Sequence, residues 1–585
     1  MALAAESNAG SGVGVTSSPD LMRSPDQLMR PRRLGALPSN RISAARSFVD
    51  LMRRERWKIE LVEIDVDARA NGRIVYRIDT GRNVLTLAAF SREPRFVNRT
   101  SRIIGSSWDM EGALIEGEPD QGMLEHTREE MPKLYAGRAC PGTLVWFRSN
   151  QSTRLFEYVR SCLARGEQPD VERLRETGYL MRNTGLDGNG TFGTRSFRSL
   201  EDDHPLRLPY HAQMLSAYMM REFACDLVEH LARLDAPGLA RPLDPALKRE
   251  LGIGNGSALG LVLFAFNRPT LVGAWIRAFE TARSAALALE LAPDDPRLDA
   301  LDALLERAAD YRNRDLSAYT AFPRGPEIAL DLRRVRQTLR AVRAGDRDGR
   351  TAADRPCARV AELIAGEVTP EAEEIFSSLL LELVPELCDE LLETLVVDEQ
   401  VQADPFMSCA RLQELVTGPF AWALGFPLDE PEQRTRSWYK SRASEEPRSG
   451  PRDEIPEGTF ELSIDHPGQV QRLYAALQEP GRPATVGELL AERPELESAV
   501  AHVQVLATEP YAIPRVDLRS QECVPVHLIH VLNAFCFGLD NTVDHLNRYL
   551  RGLIMEGAPT RAEVARGEGA DWWWQTPADR IRVSA

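Results

Sequence analysis

The spacing of apolar residues changes from a period of two to a helical period along this chain, and that change limits the fold more than any other feature. Residues 57–66, 73–80 and 84–90 form three short runs rich in β-branched and aromatic side chains, which suit a pleated, half-buried surface. Asn71-Gly72 and Thr80-Gly81 separate them, and such dipeptides supply the backbone freedom that tight hairpins need. The spacing predicts a three-stranded antiparallel meander.

Helical spacing precedes this block at 42–56 and resumes at 101–115, where Ile103, Ile104, Trp108 and Leu114 are available for one face. After a Gly-Pro loop at 137–142, helices are predicted over 153–164, 211–234, 270–291, 300–312, 329–342, 371–397, 409–424, 468–478, 496–506, 524–537 and 542–555. Leu215, Met219, Phe223, Leu227 and Leu231 illustrate the buried stripe that such a helix turns toward a core. The expected class is therefore α+β and predominantly α-helical, a large helical body with a small N-terminal antiparallel β-meander. The expected segments are a disordered tail at 1–40, a helix-plus-meander region at 41–150 and a helical domain at 151–345. A helical segment at 346–425, a long Pro-rich and charged loop at 426–458 and a C-terminal helical region with a Trp-rich tail at 459–585 follow.

At 585 residues the chain exceeds what one core usually organises, so several lobes are expected. Its formal charge of -16 disfavours nucleic acid as a partner, because a surface of that sign repels phosphate backbones. The most apolar internal run, 258–266, is too short to span a bilayer, so no membrane partner is expected. Eight scattered cysteines, without a C-x-x-C pair, fit small buried hydrophobes in a reducing, cytoplasmic setting rather than a disulfide scaffold. The first residues lack the apolar core of a secretory signal and read as tail. Within that tail, Ser18-Pro-Asp-Leu-Met-Arg23 is followed by Ser24-Pro-Asp-Gln-Leu-Met-Arg30 and echoed by Asp50-Leu-Met-Arg53. The two adjacent copies read as a duplicated piece of disordered chain rather than as a docking peptide.

Two Gly- and Asn-rich segments are the strongest local anomaly. Gly185-Leu-Asp-Gly188-Asn189-Gly190-Thr-Phe-Gly193 is the first, and Gly252-Ile-Gly254-Asn255-Gly256-Ser257-Ala-Leu-Gly260 the second. Read as loops, they would let backbone N–H groups turn inward on an anion, with a following helix adding its positive end. Arg182 and Arg195 flank the first and Arg268 follows the second, and guanidinium groups suit carboxylate or phosphate. Arg182, Asn183, Gly188, Asn189, Gly190, Arg195, His211, Gly254, Asn255, Gly256 and Arg268 are the expected substrate contacts. The spacing Gly188-x-Gly190-x-x-Gly193 matches a dinucleotide fingerprint only formally, since no buried strand is predicted before it and no acid follows at the required offset.

Cys523-Val-Pro-Val-His527-Leu-Ile-His530 places Cys523 and His527 on one helical face, where a helix N-terminus would favour a thiolate. Lys440, inside the long loop, is a third candidate because lysine can lower its pKa where arginine cannot. The leading expectation is an enzyme acting on a small anionic substrate of carboxylate, phosphate or acyl-CoA type, with Cys523, His527 and Lys440 as catalytic groups. Its reaction class is undetermined, no metal site is expected and no cofactor is assigned. The alternative is a non-catalytic ligand-binding protein or a homo-oligomeric assembly protein.

Overall fold

The computed structural model describes residues 18–30, 33, 34, 36, 37, 40–94, 108–130, 142–188, 200, 201, 203–208, 210–255, 269–313, 325–345, 355–393, 395, 402–425, 438–441, 444–449, 466–481, 483–512 and 552–570. The protein is α+β and rich in helix, and its strands are more numerous than the sequence spacing predicts. The predicted meander is present as β1 (Lys58–Val66), β2 (Gly72–Asp79) and β3 (Val84–Ser91). It continues into β4 (Met110–Glu116), β5 (Thr143–Gln151), β6 (Tyr179–Gly188) and β7 (Gly252–Asn255), and closes on β10 (Gly552–Ile554). These eight strands form one sheet in the order β1-β2-β3-β4-β5-β6-β7-β10. Neighbours are antiparallel except β6 and β7, which run parallel, so the sheet is mixed.

The helix expected at 101–115 is therefore corrected, in its described part, to strand β4, and the helix expected to end at residue 555 gives way to β10. The physical reason is burial on both faces. Met110 to Ile115 are all buried, as are Thr143 to Ser149, and a strand covered on both sides loses the polar alternation by which strands are recognised. Inward residues such as Ile74, Tyr76, Leu87, Leu114, Phe147 and Ile253 join the main core. Their outward neighbours Val75, Ala88, Ala113, Ile115 and Trp146 form a smaller cluster with Leu124, which the helix Gln121–Glu130 supplies.

The inner face packs on a central helix, α1 (His211–Asp235), whose residues from His211 to Val228 are all buried. A helix buried on every side along most of its length belongs in the middle of a large core, and its buried charges Arg221, Glu222 and Asp226 are paired there. The next long helix, α2 (Pro269–Ala288), leads from this core to a second one. That second core is built by α3 (Pro296–Arg312), α4 (Gly325–Ala344), α5 (Pro356–Ile364) and α6 (Pro370–Leu380). Asp295 and Thr369 cap α3 and α6 with their side chains and are followed by proline at the first helical position, which satisfies or removes amides that would otherwise lack partners. The expected helix over 371–397 is broken after Leu380 by a short 3-10 turn and resumes as Pro385–Glu393. In the stretch expected as a long loop, β8 (Trp438–Ser441) and β9 (Ser444–Ser449) pair as a separate hairpin.

Residues 18–30, expected within a disordered tail, lie as a strap on the helical body. Pro19–Leu21 and Pro25–Leu28 form short helical turns. The buried Arg23 guanidinium meets the carboxylates of Glu280 on α2 and Glu374 on α6, and the Tyr511 hydroxyl donates to the Arg23 carbonyl. Farther along, Arg41 and Arg46 both bond Glu382, and Arg54 reaches Asp389. Arginine ion pairs with partners hundreds of residues away hold this arm, so the local polar composition of 1–40 gives no sign of it.

Candidate functional site

The two Gly-rich segments begin on neighbouring strands. Gly185–Gly188 belongs to β6 and pairs with Val145 to Arg148 of β5; Gly252–Asn255 is the whole of β7. Their described halves are thus strands, a correction to the loop reading with a simple cause. Glycine and asparagine are poor strand formers in isolation, and here pairing with β5 holds Gly185–Gly188 extended while β6 and β10 hold Gly252–Asn255 from both sides. Arg182 lies opposite Gly254 and Asn183 opposite Asn255 in the parallel ladder, while Gly552 of β10 faces Asn255 from the other side. Asn189, Gly190, Arg195, Gly256 and Arg268 lie outside the described residues.

Side chains alternate across a strand, and this separates Arg182 from Asn183. Asn183 is paired with Ser149, whose hydroxyl contacts the sulfur of Met220 on α1, so both point to the core. Asn183 is fully buried there. Arg182 is paired with Asn150 and faces the other way, half-buried, and no described acid forms an ion pair with it. Gly254 shares the Arg182 side, and the reason for its missing side chain is visible: a Cβ would stand 3.0 Å from three atoms of the Tyr179 ring.

On the same outer face, two residues along β5, lies Arg148. Its guanidinium carbon is 4.1 Å from the centroid of the Trp108 ring and 4.7 Å from that of Trp146, within the range where a cation is attracted to an aromatic face. Directly across the ladder sits Glu111, buried and bonded at 2.6 Å by Arg92. Burial pushes the Glu111 carboxyl above its usual range, against the opposing pull of Arg92 and Arg148. Sequence reasoning missed Arg92, Trp108, Glu111, Trp146 and Arg148 as a group. The signal that could have found part of it is the period-two series Trp146, Arg148, Asn150, which is legible once 143–151 is taken as a strand.

The other candidates separate. His211 opens α1 in the interior, its ring 5.1 Å from that of Phe48 and its Nδ1 3.0 Å from the Pro205 carbonyl oxygen. Burial lowers its pKa to about 4, so the imidazole is neutral at ordinary pH. Lys440 sits on β8, opposite Pro447 of β9, in the hairpin that is separate from the main sheet. Cys523 and His527 lie outside the described residues. Among described cysteines, burial pushes the thiols of Cys225, Cys357 and Cys388 up to about 12, which keeps them protonated and unreactive. Among the described residues no cluster of three His, Cys, Asp or Glu is arranged to hold a metal ion, and no helix is long and apolar enough to cross a membrane.

Comparison with protein-family models, with curated proteins and with solved structures gives no match to this chain.

Proposed function

We propose that this protein is an enzyme acting on a small anionic substrate of carboxylate, phosphate or acyl-CoA type, bound where β6 and β7 run side by side. The observation that carries the reading is Arg182: a half-buried guanidinium beside the parallel pair, with no acid among the described residues to neutralise it. A cation held partly out of water and without a counter-charge favours an incoming anion. Two further features support it. Parallel neighbours send their continuing chain toward the same end of the sheet, so the segments bearing Gly190 and Gly256 start from adjacent strands. The described chain resumes at Gly552, opposite Asn255, so the segment that carries Cys523 and His527 ends at the same junction. Arg148, stacked on Trp108 and Trp146 and opposite Glu111, lies on the face that Arg182 shares.

Thermal denaturation in phosphate, in succinate and in coenzyme A tests the reading. An anion present at about a hundred times its Kd stabilises the folded chain by about 2.7 kcal/mol. That gain should disappear in Arg182→Ala and persist in Arg297→Ala, a change at an exposed helix start on the second core. Equal stabilisation of both variants, or none of the unaltered chain by any of the three, sinks the proposal.

A further inference from the structure

The two adjacent Leu-Met-Arg copies dock differently. Arg23 of the first is buried against Glu280 and Glu374. Arg30 of the second is exposed, and its Nε donates to the Asp26 carbonyl within its own turn. The copies differ by one inserted residue, Gln27, and the backbone absorbs it. Pro19–Leu21 is a 3-10 turn closed by the Met22 amide on the Pro19 carbonyl, whereas Pro25–Leu28 is a wider α turn closed by the Met29 amide on the Pro25 carbonyl. Each turn therefore delivers Met and then Arg just past its closing bond. The strap also returns on itself, because Arg33 bonds the same Glu374 carboxylate as Arg23. The side chains of Arg23 and Arg33 thus converge on one carboxylate although the seven positions of the second copy intervene. Three residues of extended chain reach about 10 Å, and the long side chains of both arginines add their own reach toward that carboxylate.

We propose that the cleft between α2 and α6 containing Glu280 and Glu374 is a receptor for a Ser-Pro-Asp-Leu-Met-Arg peptide, and that the second copy, ending in Arg30, is its alternative occupant. The first copy holds the cleft in the full chain because that register also buries Leu28 and Met29. When the first copy is missing, the chain slides by seven residues and Arg30 enters between the two carboxylates. The duplication then keeps the acid pair neutralised after loss of the leading residues.

The test compares chains starting at residue 18 and at residue 24, each with and without Arg30→Ala, by hydrogen exchange of the amides of Pro370–Leu380. Arg30→Ala should leave exchange unchanged in the chain from residue 18. In the chain from residue 24 it should speed exchange by about tenfold or more, since Glu280 then lacks its arginine and Glu374 keeps only Arg33. Arg23→Ala in the full chain provides the same comparison without truncation, and there too Arg30→Ala should become costly. An Arg30→Ala change that is silent in every background overturns the proposal. So does a chain from residue 24 that fails to fold, because an occupant able to take the cleft would hold it.

Discussion

Arg561 grips Asp226 with two nitrogens, one on each carboxylate oxygen, and so fastens the last described helix, Arg561–Arg566, to the centre of α1. The Tyr76 hydroxyl, on β2, donates to the same carboxylate at 2.7 Å. Sheet, central helix and C-terminal segment thus meet at one acid. Asp226→Ala should destabilise the protein by about 3 kcal/mol, since it leaves a partly buried guanidinium with only the more distant Glu222 carboxylate, at 3.9 Å. Asp226→Ala combined with Arg561→Leu should recover much of that loss. Urea denaturation of both single variants and of the double variant checks this, and losses that simply add would show that the pair contributes nothing beyond its separate residues.

Glu374 should make the strap sensitive to acid. Burial alone would raise its pKa, but Arg23 and Arg33 outweigh burial and hold the carboxyl below its ordinary 4.5. A depressed folded-state pKa gives stability that is complete above the unfolded value and is lost as pH falls through the folded one. Acid unfolding below about pH 4.5 should therefore be shallower in Glu374→Gln than in the unaltered chain. At pH 7 the same variant should be weaker by about 3 kcal/mol, because Arg23 loses one of its two charged partners.

His211 should act in a different window. Its pKa is lowered from 6.5 to about 4 by burial, so the unfolded chain binds a proton there before the folded one does. Stability is then full above pH 6.5 and declines as pH falls toward 4, by about 3 kcal/mol at the acid end. His211→Gln should flatten the part of the stability curve between pH 6.5 and 4. A curve of the same slope as the parent's between those limits would show that His211 charges freely in the folded state.

Gly254 offers a way to tell packing from ligand contact. Gly254→Ala should cost about 1 to 2 kcal/mol through collision with the Tyr179 ring. Tyr179→Ala should relieve that collision, so the double variant should lose less than the two single losses summed. Additive losses in thermal denaturation would place the added methyl's conflict elsewhere.

Patterning of single residues determined much of this protein. The helices at Pro296–Arg312 and Gly325–Ala344 follow from a period of about 3.6, because each has a distinct buried side, and the meander at 58–91 follows from its β-rich runs and the dipeptides that separate them. The helix-rich α+β class follows from the same counts. Tertiary structure alone decided which extended runs join the sheet. Met110–Glu116 and Thr143–Gln151 are covered on both faces, and Gly252–Asn255 is strand only because Tyr179–Gly188 and Gly552–Ile554 flank it. It also decided that Arg182 and Asn183 turn to opposite faces and that the arm from Ser18 is docked. Hydrogen bonds and ion pairs between residues tens to hundreds of positions apart set these features, and their partners leave no periodic trace in the chain that contains them.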